Sequence, residues 1–331
     1  MPAEAQGSPF LGRLRRIAEA LPTRIVVTVA LLGVVAVRID WSKMEGRLRH
    51  GHPLDFLAAV GLVLVALIIG AYRWWRLLRG AGVKLDLARL AHVYAVSTFS
   101  GTCLPTTLGS DVTRALLVTR RGPVLTRVAT TIFVDRAGGL AGLLGMAWIA
   151  FAFQATSVPA GAQVFLVWVT AAAIIGLLIG VVAVFRGPRL GRAAIPQRLM
   201  SVARQSRWQL REYARDPVIL VMLVVLSLIY QALISLQLVM LARAIDVHLA
   251  FATAAVVLAL VTIVTLIPVS IGGFGVREGT YVVLLSGASI AATDATLISV
   301  LSAATLFLVS LPGAYLLARD GVSPVLEAAP Q

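Results

Sequence analysis

The sequence predicts an all-α polytopic membrane protein with six full transmembrane helices and two re-entrant helical hairpins, arranged in two inverted repeats. Hydrophobic residues make up 59% of its 331 residues and charged residues only 13%, with a mean hydropathy of +0.91. A soluble globular chain is about half apolar and about a quarter charged. Several apolar stretches also approach the roughly 20 residues that are needed to cross the hydrocarbon core of a bilayer. A short Pro/Gly/Arg motif occurs twice, once in each half.

The first predicted repeat covers residues 25–153 and follows a cytoplasmic N-terminal segment, residues 1–24. Four arginines precede the first apolar stretch, and basic residues mark the cytoplasmic side of a membrane helix. The second span ends in the aromatic and basic run Tyr72–Arg76, which is typical of a helix end at the membrane interface. The predicted elements are the spans Ile25–Val37 and Phe56–Tyr72, the hairpin Leu87–Leu117 and the span Val128–Phe153.

The first hairpin is inferred from the distribution of loop charges. The segment after Pro105 carries four arginines, whereas the external loop 154–163 carries no charge. If Leu90–Leu104 crossed the bilayer, the arginines would lie outside and the uncharged loop inside, against the positive-inside rule. A segment that enters and leaves on the cytoplasmic side removes both conflicts, because non-helical backbone is tolerated at membrane depth where protein buries it.

The second predicted repeat covers residues 164–318 and has the same order of elements. Its cytoplasmic basic loop, residues 186–217, contains eight arginines. The apolar spacing in this loop permits an amphipathic helix on an anionic leaflet, and a solvated basic loop is an equal alternative. An odd number of crossings in each half inverts the second half relative to the first. The predicted elements are the spans Val164–Phe185, Val218–Met240 and Thr296–Ala318, the hairpin Phe251–Leu285 and a cytoplasmic tail, residues 319–331.

The two hairpins share one motif. Counted from Pro105 and from Pro268, a hydroxyl residue follows at the second position, a branched aliphatic residue at the third, glycine at the fourth and arginine at the ninth. Proline ends the incoming helix because it lacks a backbone donor and clashes with the preceding turn. Glycine lets the chain reverse. The N-terminus of the outgoing helix then presents a partial positive charge, which favours an anionic group such as phosphate.

These residues predict a binding site for an anionic group such as phosphate. The motif arginines can donate paired hydrogen bonds to a phosphate, and ionisable residues at membrane depth are costly and tend to be functional. An alternative is that the arginines only hold the hairpins in place by pairing with neighbouring carboxylates. The sequence leaves open whether two of the candidates, Asp135 and Arg136, lie in the membrane or at its interface. The candidates are Arg114, Arg277, Gly109, Gly272, Gly273, Glu278, Asp111, Thr107, Ser270, Asp135 and Arg136.

From about Ile25 to Ala318, the chain resembles the integral-membrane, flippase-like region of lysylphosphatidylglycerol synthases and its stand-alone relatives. The resemblance implies that the protein moves or presents a lipid with a charged head group, which would be a phospholipid, a hopanoid-related lipid or a polyprenyl-phosphate-linked lipid. Only residues 319–331 follow the last span, so the lysyl transfer of fused members is not expected. The resemblance rests on Val37–Trp41, Tyr72–Leu78, Leu104–Ala115, Val134–Leu140 and Gly272–Gly279.

The expected function is a lipid translocase of the cell membrane, with both termini cytoplasmic and with no cofactor or catalytic residue. Two alternatives remain. In one, the chain is a membrane-embedded transferase in which Asp111, Asp135 or Glu278 acts as acid or base, although the sequence has no nucleophile constellation or metal cluster. In the other, it is a scaffold whose partner is a lipid-modifying enzyme.

Charge and cysteine content exclude several other classes. The net charge is +14, but the basic residues lie between apolar segments, which is the pattern of membrane loops rather than of a nucleic-acid-binding patch. The single cysteine, Cys103, excludes an internal disulfide and a cysteine-based metal site. The four histidines form no metal-ligand spacing beyond His50 and His52 in a polar loop.

Overall fold

A computed structural model of the chain describes residues 46, 51–103, 109–119, 122–153, 159–186, 197–266 and 275–320. Within these residues the regular elements are all α-helices and no strand is present, so the predicted all-α class is confirmed for this part of the chain. We number its ten helices in chain order. They are α1 (Pro53–Gly80), α2 (Leu87–Cys103), α3 (Gly109–Val118), α4 (Gly122–Phe153), α5 (Ala160–Arg186), α6 (Gln197–Arg215), α7 (Pro217–Arg243), α8 (Phe251–Leu266), α9 (Val276–Ser286) and α10 (Ala292–Asp320).

Four helices in the described part of the chain are long and apolar enough to cross a membrane. They are α1, residues Val124–Phe153 of α4, α7 and α10, and each contains one of the predicted spans. The shortest of them has 27 residues. At 1.5 Å per residue it is about 40 Å long, which exceeds the roughly 30 Å of the hydrocarbon core. The predicted span Val164–Phe185 lies in α5, and the predicted first span, Ile25–Val37, lies outside the described residues.

Local sequence explains where two of these long helices begin. Pro53 and Pro217 are the first residues of α1 and α7, and proline suits this position because its fixed φ matches the helix and its missing N–H needs no partner there. Asp216 caps α7, since its carboxylate accepts hydrogen bonds from the backbone N–H groups of Val218 at 2.9 Å and Ile219 at 3.2 Å. A capping carboxylate also interacts favourably with the positive end of the helix dipole.

The two predicted hairpins correspond to two pairs of short helices. The first pair is α2 and α3, with 17 and 10 residues. The second is α8 and α9, with 16 and 11 residues. The segments that join the members of each pair, residues 104–108 and 267–274, contain the two motif prolines and lie outside the described residues.

Helices from the two halves pack against each other in the core. The most extensive contact joins α1 to α7, and the next largest contacts include α2 with α10 and α8 with α4. Glycine permits the close approaches, as small residues do between membrane helices. A Cβ atom at Gly142 of α4 would overlap Ser227 of α7, and one at Gly313 of α10 would overlap the carbonyl of Ala95 in α2.

Large apolar side chains remain exposed on the outer surfaces of the long helices. Ile68 of α1 is 67% exposed, Trp168 of α5 is 70% exposed and Val221 of α7 is 62% exposed. Such extended apolar exposure is unusual for a soluble monomer. It fits a surface that contacts lipid acyl chains.

Residues 197–215 of the basic loop form a helix, as one of the two alternatives predicted, and the position of this helix on an anionic leaflet stays a prediction. This helix, α6, packs against α4 and α7. Tyr213 and Gln209 on its inner face are buried, at 4% and 2% exposure. Residues 197–215 are therefore not a plain solvated loop.

Candidate functional site

A buried group of charges joins α1, α3 and α4. Arg73 Nε donates a hydrogen bond to Asp135 Oδ1 at 2.7 Å, and Arg114 Nη1 donates to the other carboxylate oxygen, Oδ2, at 3.4 Å. Arg73 and Arg114 are each 7% exposed and Asp135 is 4% exposed. We call these three residues the Asp135 cluster. One carboxylate is thus shared between two guanidinium groups that come from different helices.

Asp135 lies within the α4 span and not at its end. The helix begins at Gly122, so Asp135 is roughly 20 Å along its axis at 1.5 Å per residue. This position lies within Val124–Phe153, the part of α4 that is long and apolar enough to cross a membrane. A buried charge is costly unless it is paired, which is what the two arginines provide.

Hydroxyl groups satisfy further donors of the two arginines. Arg73 Nη1 donates to Ser227 Oγ of α7 at 2.8 Å. Arg114 Nε reaches Ser97 Oγ of α2 at 3.4 Å. The cluster consequently touches five helices, and its position depends on how those helices pack.

Aromatic rings hold the Arg114 guanidinium. Its central carbon lies 4.4 Å from the ring centroid of Tyr94 and 5.3 Å from that of Trp74. Trp74 is fixed in turn, because its indole N–H donates to Thr131 Oγ1 at 3.2 Å. A cation over an aromatic face is attracted by the ring quadrupole. The planar guanidinium of Arg114 is thus oriented by stacking as well as by its ion pair.

A second ion pair lies beside this cluster. Asp111 of α3 accepts hydrogen bonds from Arg136 of α4, at 2.9 Å from Nε and 2.8 Å from Nη2, and Arg136 Nη2 also donates to Ser110 Oγ at 3.0 Å. The Asp111 side chain is 11% exposed and the Arg136 side chain is 53% exposed. Arg136 therefore follows buried Asp135 in sequence but reaches the surface of the protein.

The charges of this region do not cancel. Arg73, Arg114 and Arg136 supply three positive charges, whereas Asp111 and Asp135 supply two negative ones, so one net positive charge remains among these ion-paired residues. A buried charge without a counter-charge is strongly unfavourable. An anionic group bound here would balance it.

The second motif arginine belongs to a separate ion pair at the start of α9. Glu278 is 3% exposed, and its carboxylate accepts hydrogen bonds from the Gly275 backbone N–H at 2.6 Å and from Arg277 Nη2 at 2.9 Å. Ser299 Oγ of α10 lies 3.5 Å from the same carboxylate. Gly275 has a φ of +81°, a left-handed conformation that favours glycine. Glu278 thus caps its own helix and fixes the entry of the chain into α9.

The structure brings most of the predicted site residues into these two groups. Asp111, Asp135, Arg136 and Arg114 lie together, while Arg277 and Glu278 form the second group, and Gly109 is the first residue of α3. Both motif arginines are paired with carboxylates, as the alternative of a holding role predicted. Asp111 pairs with Arg136, however, and not with Arg114. The candidates Thr107, Ser270, Gly272 and Gly273 lie outside the described residues.

Sequence reasoning missed one central residue, Arg73. Its position in the run Tyr72–Arg76 predicts a side chain at the membrane interface, but Arg73 and Trp74 are buried, at 7% and 0% exposure. The signal that could have found it is the carboxylate of Asp135, which needs a positive partner if it lies at membrane depth. Tyr94, Ser97 and Ser227 belong to no sequence motif, and only the packing of the helices shows that they contact the two arginines.

Comparison with known proteins gives one family. A family model described as the lysylphosphatidylglycerol synthase TM region matches residues 23–313 of the chain. No curated protein matches the chain. The family match covers most of the sequence and indicates a lipid-related role in a membrane.

Proposed function

This chain belongs to the lysylphosphatidylglycerol synthase TM region family, and on that premise we propose that it is a flippase-like lipid translocase. It moves or presents a lipid with an anionic head group across the cell membrane, and it is a transporter rather than an enzyme. The lipid is a phospholipid, a hopanoid-related lipid or a polyprenyl-phosphate-linked lipid. Both termini lie in the cytoplasm in this proposal.

The single observation that carries the proposal is the net positive charge around Asp135. Three arginines face two aspartates in this region, and the low polarity of the interior strengthens their attraction for an anion. A phosphate offers several acceptor oxygens, which match the forked donors of a guanidinium group. Arg114 bonds Asp135 at 3.4 Å, a longer contact than the 2.7 Å bond from Arg73. In our proposal Arg114 is the group that turns towards the lipid.

Arg136 supplies the entry point for the head group. Its side chain is 53% exposed, whereas Arg114 is 7% exposed, and the two are linked to carboxylates on the same pair of helices, α3 and α4. A lipid can therefore contact Arg136 first while its acyl chains stay in the bilayer. Transfer of the phosphate from Arg136 to Arg114 then brings it into the protein.

The proposed topology has six membrane spans and two re-entrant hairpins. Helix lengths support it, because α2 with 17 residues and α8 with 16 residues are only about 25 Å long, less than the roughly 30 Å of the hydrocarbon core. Each continues after a proline-containing segment into a shorter helix, as a membrane-embedded hairpin would.

The contacts between helices support two inverted repeats. If α1 corresponds to α7, α2 to α8 and α4 to α10, exchanging the halves converts the α2–α10 contact into the α8–α4 contact and leaves α1–α7 unchanged. Repeats of this kind in transporters rock against each other and expose a central site to one side at a time. We propose that the same motion carries the head group from Arg114 in one repeat towards Arg277 in the other.

A vesicle assay tests this function. The full chain is reconstituted into proteoliposomes with labelled phospholipids or labelled polyprenyl phosphates, and the fraction of label that changes leaflet is followed over time. We expect translocation of at least one anionic lipid. Arg114→Gln and Arg277→Gln should each slow it about ten-fold or more, the loss expected for charge-assisted hydrogen bonds worth 1.5 kcal/mol or more.

Arg243→Gln is the matched control, because the Arg243 side chain is 61% exposed at the end of α7; it should leave the rate unchanged. Absence of translocation of every lipid tested, with a protein that elutes as a folded species, would contradict the proposal. Lipid mass spectrometry on the same vesicles distinguishes a transferase, which would produce a covalently changed lipid. Full translocation by both arginine variants would contradict the role proposed for Arg114 and Arg277. A scaffold would give no translocation in this assay even as the wild-type protein.

A further inference from the structure

Helix α6 has a continuous basic and aromatic outer face. Arg204, Trp208, Arg211 and Arg215 follow one another at intervals of four, three and four residues, so they share one side of the helix. All four are exposed, and Trp208 is 62% exposed. We call these four residues the α6 outer stripe.

The opposite face of α6 is attached to the protein by three hydrogen bonds. Thr130 Oγ1 contacts Ser206 Oγ at 3.0 Å, Gln209 Nε2 donates to the carbonyl of Arg127 at 3.2 Å, and Tyr213 Oη donates to the carbonyl of Leu77 at 2.6 Å. These bonds connect α6 to α1 and α4. Because the inner face is held against the protein, the outer stripe faces away from it.

The outer stripe lies next to a membrane-spanning helix. Asp216 directly follows Arg215 and caps α7, and Pro217 begins the α7 span. The C-terminal end of α6 is therefore close to the level at which the chain enters the bilayer. The helix carries five arginines and one glutamate, a strong excess of positive charge.

We propose that the α6 outer stripe binds the anionic head groups of bilayer lipids at the membrane surface. Arginine side chains near a membrane are attracted to anionic lipids, and tryptophan favours the level of the head groups because its ring is amphipathic. This occupant is a lipid of the surrounding leaflet and not the translocated one, so the inference goes beyond the proposed transport function.

Lipid binding at the stripe would act on the Asp135 cluster through the backbone. Leu77 lies one helical turn after Arg73 in α1, and Thr130 lies little more than one turn before Asp135 in α4. Binding that holds α6 in place therefore also stabilises the parts of α1 and α4 next to the cluster. The membrane surface and the buried site are thereby linked.

Quenching of Trp208 fluorescence by brominated lipids tests this inference. The full chain and its Trp208→Phe variant are placed in nanodiscs that contain phosphatidylcholine alone or a mixture with phosphatidylglycerol, and either lipid is brominated near the head group. The difference between the two proteins gives the emission of Trp208. We expect quenching of this emission, and stronger quenching when the brominated lipid is phosphatidylglycerol.

Charge-matched double variants identify the arginines responsible. Arg204→Gln/Arg215→Gln should reduce quenching by brominated phosphatidylglycerol to the level of phosphatidylcholine. Arg243→Gln/Arg319→Gln, which removes the same charge elsewhere, should leave the preference intact. Hydrogen exchange in residues 197–215, measured by mass spectrometry, should slow in phosphatidylglycerol for the wild type and for the control variant only.

Three outcomes would overturn the inference. They are no quenching of Trp208 by either lipid, equal quenching by both, and a preference that survives Arg204→Gln/Arg215→Gln. The first would mean that the stripe faces water and is free for an acidic protein partner. The measurement needs no transport, so a failed translocation assay and a failed quenching assay are separate results.

Discussion

At the scale of single residues, Asp135 balances two arginines that have no other carboxylate in contact among the described residues. Arg73 and Arg114 both bond to it, and all three side chains are buried. Removing one member of a buried ion pair leaves an uncompensated charge, which is far more unfavourable than losing an exposed pair. The stability of the helix assembly should therefore depend strongly on this one carboxylate.

Asp135→Asn should lower the free energy of unfolding by about 3–5 kcal/mol, because it leaves two buried guanidinium groups without a counter-charge. Thermal or denaturant unfolding in detergent measures the loss. Asp246→Asn is the control, since its partner His52 is 60% exposed and exposed pairs contribute about 1 kcal/mol or less. Equal losses in the two variants would show that Asp135 is not the balancing charge.

The bond between Asp111 and Arg136 can be measured separately by a double-mutant cycle. Asp111→Asn and Arg136→Gln, alone and combined, should give a favourable coupling of roughly 0.5–3 kcal/mol, as expected for residues in one ion-pair network. Asp111→Asn combined with Arg114→Gln should give a smaller coupling, because no ion pair joins these two residues. A larger coupling of Asp111 with Arg114 than with Arg136 would instead support an ion pair between Asp111 and Arg114, which are three residues apart in sequence.

At the scale of helices, glycine sets the distance between α4 and α7. A Cβ atom at Gly142 would overlap both the side chain and the backbone of Ser227, and Ser227 is the residue that accepts a hydrogen bond from Arg73. Helix spacing and the geometry of the Asp135 cluster are therefore coupled. A change in one contact between helices should alter the charged site that lies beside it.

Gly142→Ala should destabilise the protein by about 1–3 kcal/mol, the usual effect of forcing extra volume into a packed interior. It should also slow lipid translocation, because Ser227 moves away from Arg73. Gly61→Ala in α1 is the control, since a Cβ atom there has no neighbour within 4 Å and alanine favours a helix. If Gly142→Ala and Gly61→Ala have the same free energy of unfolding, the proposed link between helix spacing and the Asp135 cluster is wrong.

At the scale of the whole molecule, the proposed re-entrant hairpins would determine which side of the membrane each loop occupies. In a Cys103→Ala background, single cysteines are introduced at Asp86, Arg121, His248 and Ser286 and labelled with an impermeant maleimide on intact cells. Asp86→Cys and Arg121→Cys should both be protected from labelling, because both ends of the first hairpin are cytoplasmic in the proposed topology. His248→Cys and Ser286→Cys should both be labelled, because both ends of the second hairpin are external. If α2 and α8 crossed the membrane, the two members of each pair would instead differ.

Much of the fold could be predicted from the sequence because it depends on local patterns. The spans Phe56–Tyr72 and Val218–Met240 lie inside helices of the expected length. In a bilayer an apolar segment must form its backbone hydrogen bonds within itself, which favours a helix. The two members of each short helix pair are separated by a segment that contains a motif proline, Pro105 or Pro268, and an interior proline weakens or breaks a helix because it removes a backbone hydrogen bond. For the basic loop, the sequence left a helix and a solvated loop as equal alternatives. It could not choose between them because the contacts of α6 with α1 and α4 involve residues that are far away in sequence.

The sequence by itself determined the membrane class, the helical elements and the repeated Pro/Gly/Arg motif, because hydropathy and backbone breaks are properties of neighbouring residues. Only the tertiary structure decided the ion pairs around Asp135 and Asp111. Asp111 is three residues from Arg114, yet Arg114 pairs with Asp135, 21 residues away, and Arg73 pairs with the same carboxylate across 62 residues. Such distances are closed by helix packing, and a buried charge must take whichever partner the packing brings within reach.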